Sequence, residues 1–284
     1  MTTRIGIGMS SASLTARTSL NRSMGMFDKV NEKLATGIKI NRGSDNPAGL
    51  IAMEQLQAEL TAIEAAAQNT SRAGQVINVM DSALAQVGSL LSDLNGSIVG
   101  AAGAFTDAER KSYALQAQET IGAIERIGAS TQFGDLQLLD GSTGSMSFAV
   151  SPDLANSPSI DLPKINAASL GGDAGMLIDL LGDGSANLAS GDLQQAQQIV
   201  SAARTQVSEC RATLGAFQKN TLETNQATLS SAQINLTKGL SEIADTDFAV
   251  AASEQTRFGV LIETGINSLL IANNSRSGML RFFD

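Results

Sequence analysis

Histidine and tryptophan are absent from this chain of 284 residues, which holds one cysteine, Cys210, and one tyrosine, Tyr113. Without histidine there is no Ser-His or Cys-His nucleophile, and the commonest general base and metal ligand are gone. One cysteine cannot form an intramolecular disulfide, and its place on an apolar stripe reads as a small buried residue rather than a reactive thiol. The scarcity of aromatic residues argues against a conventional compact core. Basic clusters are lacking too, and a net charge of −9 speaks against a nucleic-acid-binding surface. The opening MTTRIGIGMSSASL carries no apolar run of signal-peptide length, and nothing later reaches membrane-spanning length. Sec-dependent export and membrane insertion are therefore not expected, whereas an export route without a cleaved signal would leave no such mark.

Helical periodicity fills the chain instead. From Leu56, apolar and small residues step by four and three through Leu60, Ile63, Ala67, Thr70, Gly74 and Ile77. After a slip at Asp81 the beat continues through Leu84, Val87, Leu91, Leu94 and Ile98. A second stripe runs Ala196, Val200, Ala203, Val207, Cys210, Leu214 and Phe217, then Leu222, Leu229 and Leu236. Alternating steps of this kind form the seam of helices packed lengthwise. A shorter pattern near the start, Leu20, Met24, Phe27 and Leu34, closes at Gly37. The last one, Phe248, Ala251, Phe258, Leu261, Ile262, Gly265, Ile266, Leu269 and Ala272, follows the helix-start signal Asp245-Thr246-Asp247.

Asn46-Pro47 opens the long helix, expected over 48–101, and Thr106-Asp107-Ala108-Glu109 is a capping box that opens the next. Periodicity breaks near 140–191, where short strands are expected at 145–150 and 159–162. The expected fold is mainly α: an elongated antiparallel helical bundle or coiled coil with a small β-hairpin region at its far end, and with the N- and C-terminal helices paired. Residues 1–43 and 240–284 are expected to form a terminal helical domain and 44–239 a rod domain.

The sequence offers no catalytic, cofactor or metal site. Gly6 and Gly8 are too sparse for a phosphate loop. Glu242, Asp245 and Asp247 lack the spacing of a calcium loop and read as helix-capping groups. The polar face of the last helix is poor in Lys and Arg, which favours a protein partner over a lipid surface.

Five segments, in order, resemble bacterial flagellin. KLATGIKINRGSDNPAGLIAMEQL is similar to its Leu-Ser-Ser-Gly, Arg-Ile-Asn and Asp-Asn-Pro-Ala-Gly-Leu stretch, and QNTSRAGQVINVMDSAL to the following part of its long helix. STQFGDLQLLDGS resembles the Thr-Gln-Phe-Asn-Gly turn, and FAVSPDLANSPSIDLPKINAASLG the hairpin ending in Ala-x-Ser-Leu-Gly. IADTDFAVAASEQTRFGVLIETGINSLLIAN is similar to the family's final helix.

The resemblance implies a non-enzymatic subunit, exported unfolded through the flagellar type III apparatus, that polymerises into the extracellular filament used for motility. It implies as partners further copies of the chain, an export chaperone on the C-terminal helix, and hook-associated and cap proteins. The terminal helices would pair and contact neighbouring subunits through Leu20, Met24, Phe27, Leu34, Phe248, Phe258, Leu261, Ile262, Ile266 and Leu269. The short central region implies that large outer domains are absent.

Departures from the family pattern matter. Where many flagellins carry the Gln-Arg-x-Arg read by the flagellin-sensing Toll-like receptor, this chain has Ser92-Asp93-Leu94-Asn95, so weak or no recognition is expected. Ser241-Glu242-Ile243 and the ending Arg281-Phe282-Phe283-Asp284 also differ from the usual pattern. The closest rival is the hook–filament junction adaptor, against which the Thr-Gln-Phe turn and the Ala-Ser-Leu-Gly hairpin weigh. A flagellin carrying a zinc protease would need His-Glu-x-x-His, which a chain without histidine cannot supply.

Overall fold

The computed structural model describes residues 11–280 apart from 154, 156 and 183, so Gly6, Gly8 and the ending 281–284 lie outside the described residues. Its elements are α1 (Ser11–Thr36), α2 (Pro47–Ala102), α3 (Asp107–Ser130), three short strand pairs between 132 and 176, α4 (Leu193–Phe217), α5 (Thr224–Ala244) and α6 (Phe248–Leu280). They form two compact units, one of Met1–Leu60 with Ile234–Asp284 and the other of Thr61–Gln233. The local start signals act as expected. Asn46 Oδ1 accepts from the Gly49 N–H at 3.0 Å. Thr106 and Glu109 close a reciprocal capping box. A further cap opens α4, where Asp192 Oδ1 accepts from the N–H groups of Gln194 and Gln195.

In the Thr61–Gln233 unit the buried stripe of α2 runs Ile63, Ala66, Thr70, Ala73, Ile77, Met80, Leu84, Val87, Leu91, Leu94, Ile98 and Ala101. The steps alternate between three and four without a break. The slip expected at Asp81 therefore disappears: Ala66, Ala73 and Met80 hold the seam, while Ala67, Gly74 and Asp81 sit half-buried beside it. From there Asp81 accepts from Arg211 Nε at 2.8 Å and Nη2 at 3.3 Å. Gln218 to Asn78, Asn225 to Thr70 and Gln233 to Glu64 continue this row of polar contacts. The positions 211, 218, 225 and 233 recur about every seven residues, as flanking pairs beside a heptad seam do. The step of five from Phe217 to Leu222 is taken up by a π turn, Gln218–Glu223, between α4 and α5. Its extra residue keeps Leu222 and Leu229 buried.

The strand pairs are β1 (Gln132–Phe133) with β2 (Leu136–Gln137), β3 (Ser145–Ser147) with β4 (Ser159–Asp161), and β5 (Gly171–Gly172) with β6 (Gly175–Met176), all antiparallel. Only β3–β4 was expected, and it pairs Met146 with Ile160. This hairpin packs against the helices. Asn69 Nδ2 donates to Ala149 O at 3.2 Å, Asn225 Nδ2 donates to Val150 O, and Phe148 packs on Phe217 with ring centroids 5.8 Å apart. The reason is burial: Phe148, Val150, Ile160 and Leu162 need apolar helix flanks, and they join one continuous core with α2, α3 and α4.

Candidate assembly surface

The Met1–Leu60 with Ile234–Asp284 unit is built on α1 and α6. Thirty-three residues of helix in α6 begin at a cap in which Asp247 Oδ1 accepts from the N–H groups of Ala249 at 2.9 Å and Val250 at 3.1 Å. The first helix ends at Gly37, whose φ of +71° lets its N–H reach Lys33 O at 2.9 Å. Just beyond both ends the chains cross as a short bridge: the Lys39 N–H donates to Ala244 O and the Thr246 N–H to Gly37 O. That bridge sets an antiparallel register between the helices. Gln255 Nε2 donates to Asn31 Oδ1 at 2.7 Å, Gly259 lies opposite Phe27, and Gly265 lies opposite Leu20.

The corner after α1 is held by charge. Lys29 Nζ and the Arg42 N–H both donate to the Asp45 carboxylate, and Arg42 pairs with Glu32 at 3.0 Å. The Lys29 hydrogen bond holds the Asp45 carboxyl below its usual range. Its contribution is therefore present at neutral pH and lost as pH falls through that depressed value.

The ten residues expected on the inter-subunit surface divide into two groups. Leu20, Phe27, Leu34, Phe258, Ile262 and Leu269 are half-buried, and contacts such as Gly265 with Leu20 place this group at the α1–α6 seam within one chain. Met24, Phe248, Leu261 and Ile266 are exposed. Leu14, Met26, Val250, Val260, Leu270 and Ile271 are exposed as well, and the sequence reading passed over them. At about 100° per residue the exposed apolar residues of α6 fall on both flanks and the back of the helix. Exposed apolar residues thus interleave with Glu254, Arg257, Glu263 and Asn267 on the faces turned away from α1, a spread that was open to sequence reading.

Against this exposure, the buried apolar side chains of the unit are, among the described residues, Val30, Ile40, Ala244 and Ala251. Four side chains are far too few to offset the ordering of two long helices, at about 1–2 kcal/mol per residue. Charge follows the same division. This unit holds eleven basic and eleven acidic residues, so the whole net charge of −9 resides in the Thr61–Gln233 unit. A neutral apolar surface can stack on copies of itself without Coulombic repulsion.

Residues 7–143 match the bacterial flagellin N-terminal helical region, and residues 197–283 match the bacterial flagellin C-terminal helical region. The chain belongs to the bacterial flagellin family. It is similar to the flagellin of Listeria monocytogenes, 29% identical over 275 residues that cover 93% of this chain and 94% of the relative. The Bacillus subtilis flagellin is 28% identical, with 95% of this chain and 97% of that one covered. Among solved structures, one from Vibrio parahaemolyticus assigned as a flagellar hook-associated protein matches with a TM-score of 0.57 and 15% identity. It covers 71% of this chain and 100% of its own, a likeness of fold alone. Flagellin family membership brings a filament to a chain whose α1 and α6 leave large apolar side chains exposed.

Proposed function

We propose that neighbouring copies cover the exposed apolar faces of α1 and α6, and that this contact builds the polymer. As a flagellin, the chain is a structural subunit of the extracellular flagellar filament used for motility. The observation that carries the finer reading is the near-absence of a private core beneath two long helices whose outer faces carry Met24, Phe248, Leu261 and Ile266. The double substitution L261D/I266D tests it. Both side chains are about half exposed, so the isolated chain should keep its helicity. Charges buried at a contact without partners cost several kcal/mol, so the critical concentration for assembly is expected to rise at least about a hundredfold. Normal filaments in electron micrographs of this variant would contradict the proposal.

The same reading has the chain leave the cell unfolded through the flagellar type III apparatus. An export chaperone would cover α6 before assembly, and hook-associated and cap proteins would meet the terminal helices at the filament's ends. On α2, Ser92 and Asp93 are exposed, and an acid stands in the stretch where the receptor-recognised pattern carries arginine. A Toll-like receptor reporter cell line is expected to respond weakly or not at all; a strong response would refute that expectation.

A further inference from the structure

A helical polymer that does not close needs two different surfaces on each subunit that fit one another. We infer that in the Thr61–Gln233 unit these are the side chain of Phe105 and an apolar groove between β4 and α4, so that Phe105 of one copy seats in the groove of the next. The inference rests on the filament reading above and adds a second contact to it.

Phe105 is 98% exposed, the most exposed large apolar residue among those described. Its turn is nonetheless well braced. The Phe105 N–H donates to Glu109 Oε2 at 2.9 Å, the Thr106 N–H donates to the same oxygen at 3.2 Å, and Thr106 Oγ1 accepts from the Glu109 N–H. An aromatic ring presented on a fixed turn loses little freedom on docking, which is the character of an interface anchor.

The groove is lined by the apolar Ile160, Leu162, Pro163, Cys210 and Leu214 together with Asp161, Gln206, Glu209 and Thr213, and has a volume of about 370 Å³, enough for a ring-sized group. Burial pushes the Cys210 thiol pKa up, in keeping with an apolar floor. Charges at the two sites are complementary once the internally engaged groups are set aside, Glu109 accepting from the Phe105 and Thr106 N–H groups and Arg211 pairing with Asp81. Arg110 and Lys111 follow the knob, while Asp161 and Glu209 stand at the groove; Asp107 beside the knob has Lys164 beside the groove. The two sites cannot meet within one subunit. Arg211, next to Cys210, pairs with Asp81 on α2, and from there to the end of α2 at Ala102 is about 32 Å at 1.5 Å per residue. Docking therefore displaces the next copy along the helix direction.

Cys210 makes the test direct, because it is the chain's only thiol. The variant F105C/C210S is mixed at one part in ten with wild-type chain, polymerised, and treated with a short bismaleimide at mildly alkaline pH. Covalent dimers are expected at ten times or more the level in wild-type polymer alone. They should be lost when the excess chain is C210S and when the same mixture is kept monomeric. Polymer that forms normally but yields only background dimer would overturn the inference and leave the α1–α6 reading standing. A wild-type chain that fails to polymerise would sink both. As a second measurement, F105A is expected to raise the critical concentration about tenfold or more without changing the monomer's melting; an unchanged critical concentration would count against the inference.

Discussion

Deleting residues 1–40 or 245–284 is expected to abolish polymerisation while the Thr61–Gln233 unit stays folded. Either deletion removes one side of the α1–α6 seam and leaves the other with no partner in its own chain. In the chain lacking 1–40, the half-buried Phe258, Ile262 and Leu269 join residues already exposed, such as Leu261 and Ile266. The apolar core that runs from Ala73 and Val76 on α2 through Ile121, Leu139 and Ile165 to Val200 and Leu222 is untouched by either cut. Circular dichroism should therefore show a cooperative melt from both truncated chains, with helicity reduced in proportion to what was removed. Neither should sediment as polymer after unfolding and cooling. Filaments from either one would contradict the division of labour between the two units.

The substitution G128A is expected to destabilise the Thr61–Gln233 unit strongly. A Cβ added at Gly128 would lie 2.0 Å from the Ile165 carbonyl oxygen and 3.1 Å from its carbon, both of them backbone atoms. The segment at Ile165 cannot yield easily, because its N–H is bonded to Leu139 O at 2.8 Å and its side chain is buried. Separating α3 from this segment disturbs the packing that holds the hairpin region to the helices, at a cost of about 3 kcal/mol or more. For a unit of this size the melting temperature should fall by roughly 6–12 °C. Gly122, on the same helix, is the control. A Cβ there meets only the Arg126 guanidinium at 3.5 Å, so G122A should be neutral or slightly stabilising. Equal melting of the two variants would refute the close-approach argument.

Local signals in the sequence translated into structure most directly. Asn46-Pro47, the Thr106 to Glu109 box, Asp192 and Asp247 each open a helix where their capping chemistry says they should. Such groups act within three residues of themselves and need no tertiary context. The phase of the long seam was less legible for a physical reason. Ala66 and Ala67, and Ala73 and Gly74, are adjacent small residues that differ little in what burial gains, so pattern alone cannot choose between them. Packing chose the phase that buries Met80 and leaves Asp81 free to meet Arg211. The two-residue strands β1, β2, β5 and β6 carry no period to read. The hairpin's place along the helices depends on Asn69 and Asn225, polar residues whose partners are 75 or more positions away.

The exposed residues of the proposed assembly surface were legible only in part. Reading by heptad finds the stripe two helices share, and so it selected Leu20, Phe27, Phe258 and Ile262, all of them half-buried within one chain. Residues off that stripe, such as Val250, Val260 and Ile271, are the ones left exposed. Which apolar residues are covered inside the chain and which stay exposed became visible only once α1 and α6 were seen paired. The charge division adds an independent sign of the same boundary, since eleven basic and eleven acidic residues cancel in one unit and leave the other with the net charge of −9.

Hydrogen exchange measured amide by amide in the monomer and in the polymer tests the central claim most directly. In the monomer, amides of α1 and α6 should exchange fast, because few buried apolar contacts hold them, while the seam of α2 from Ile63 to Ala101 should already be slow. On polymerisation the terminal helices should gain protection of about a hundredfold or more, and the α2 seam should change little. Terminal helices as protected in the monomer as that seam, or a gain spread evenly over both units, would contradict the account.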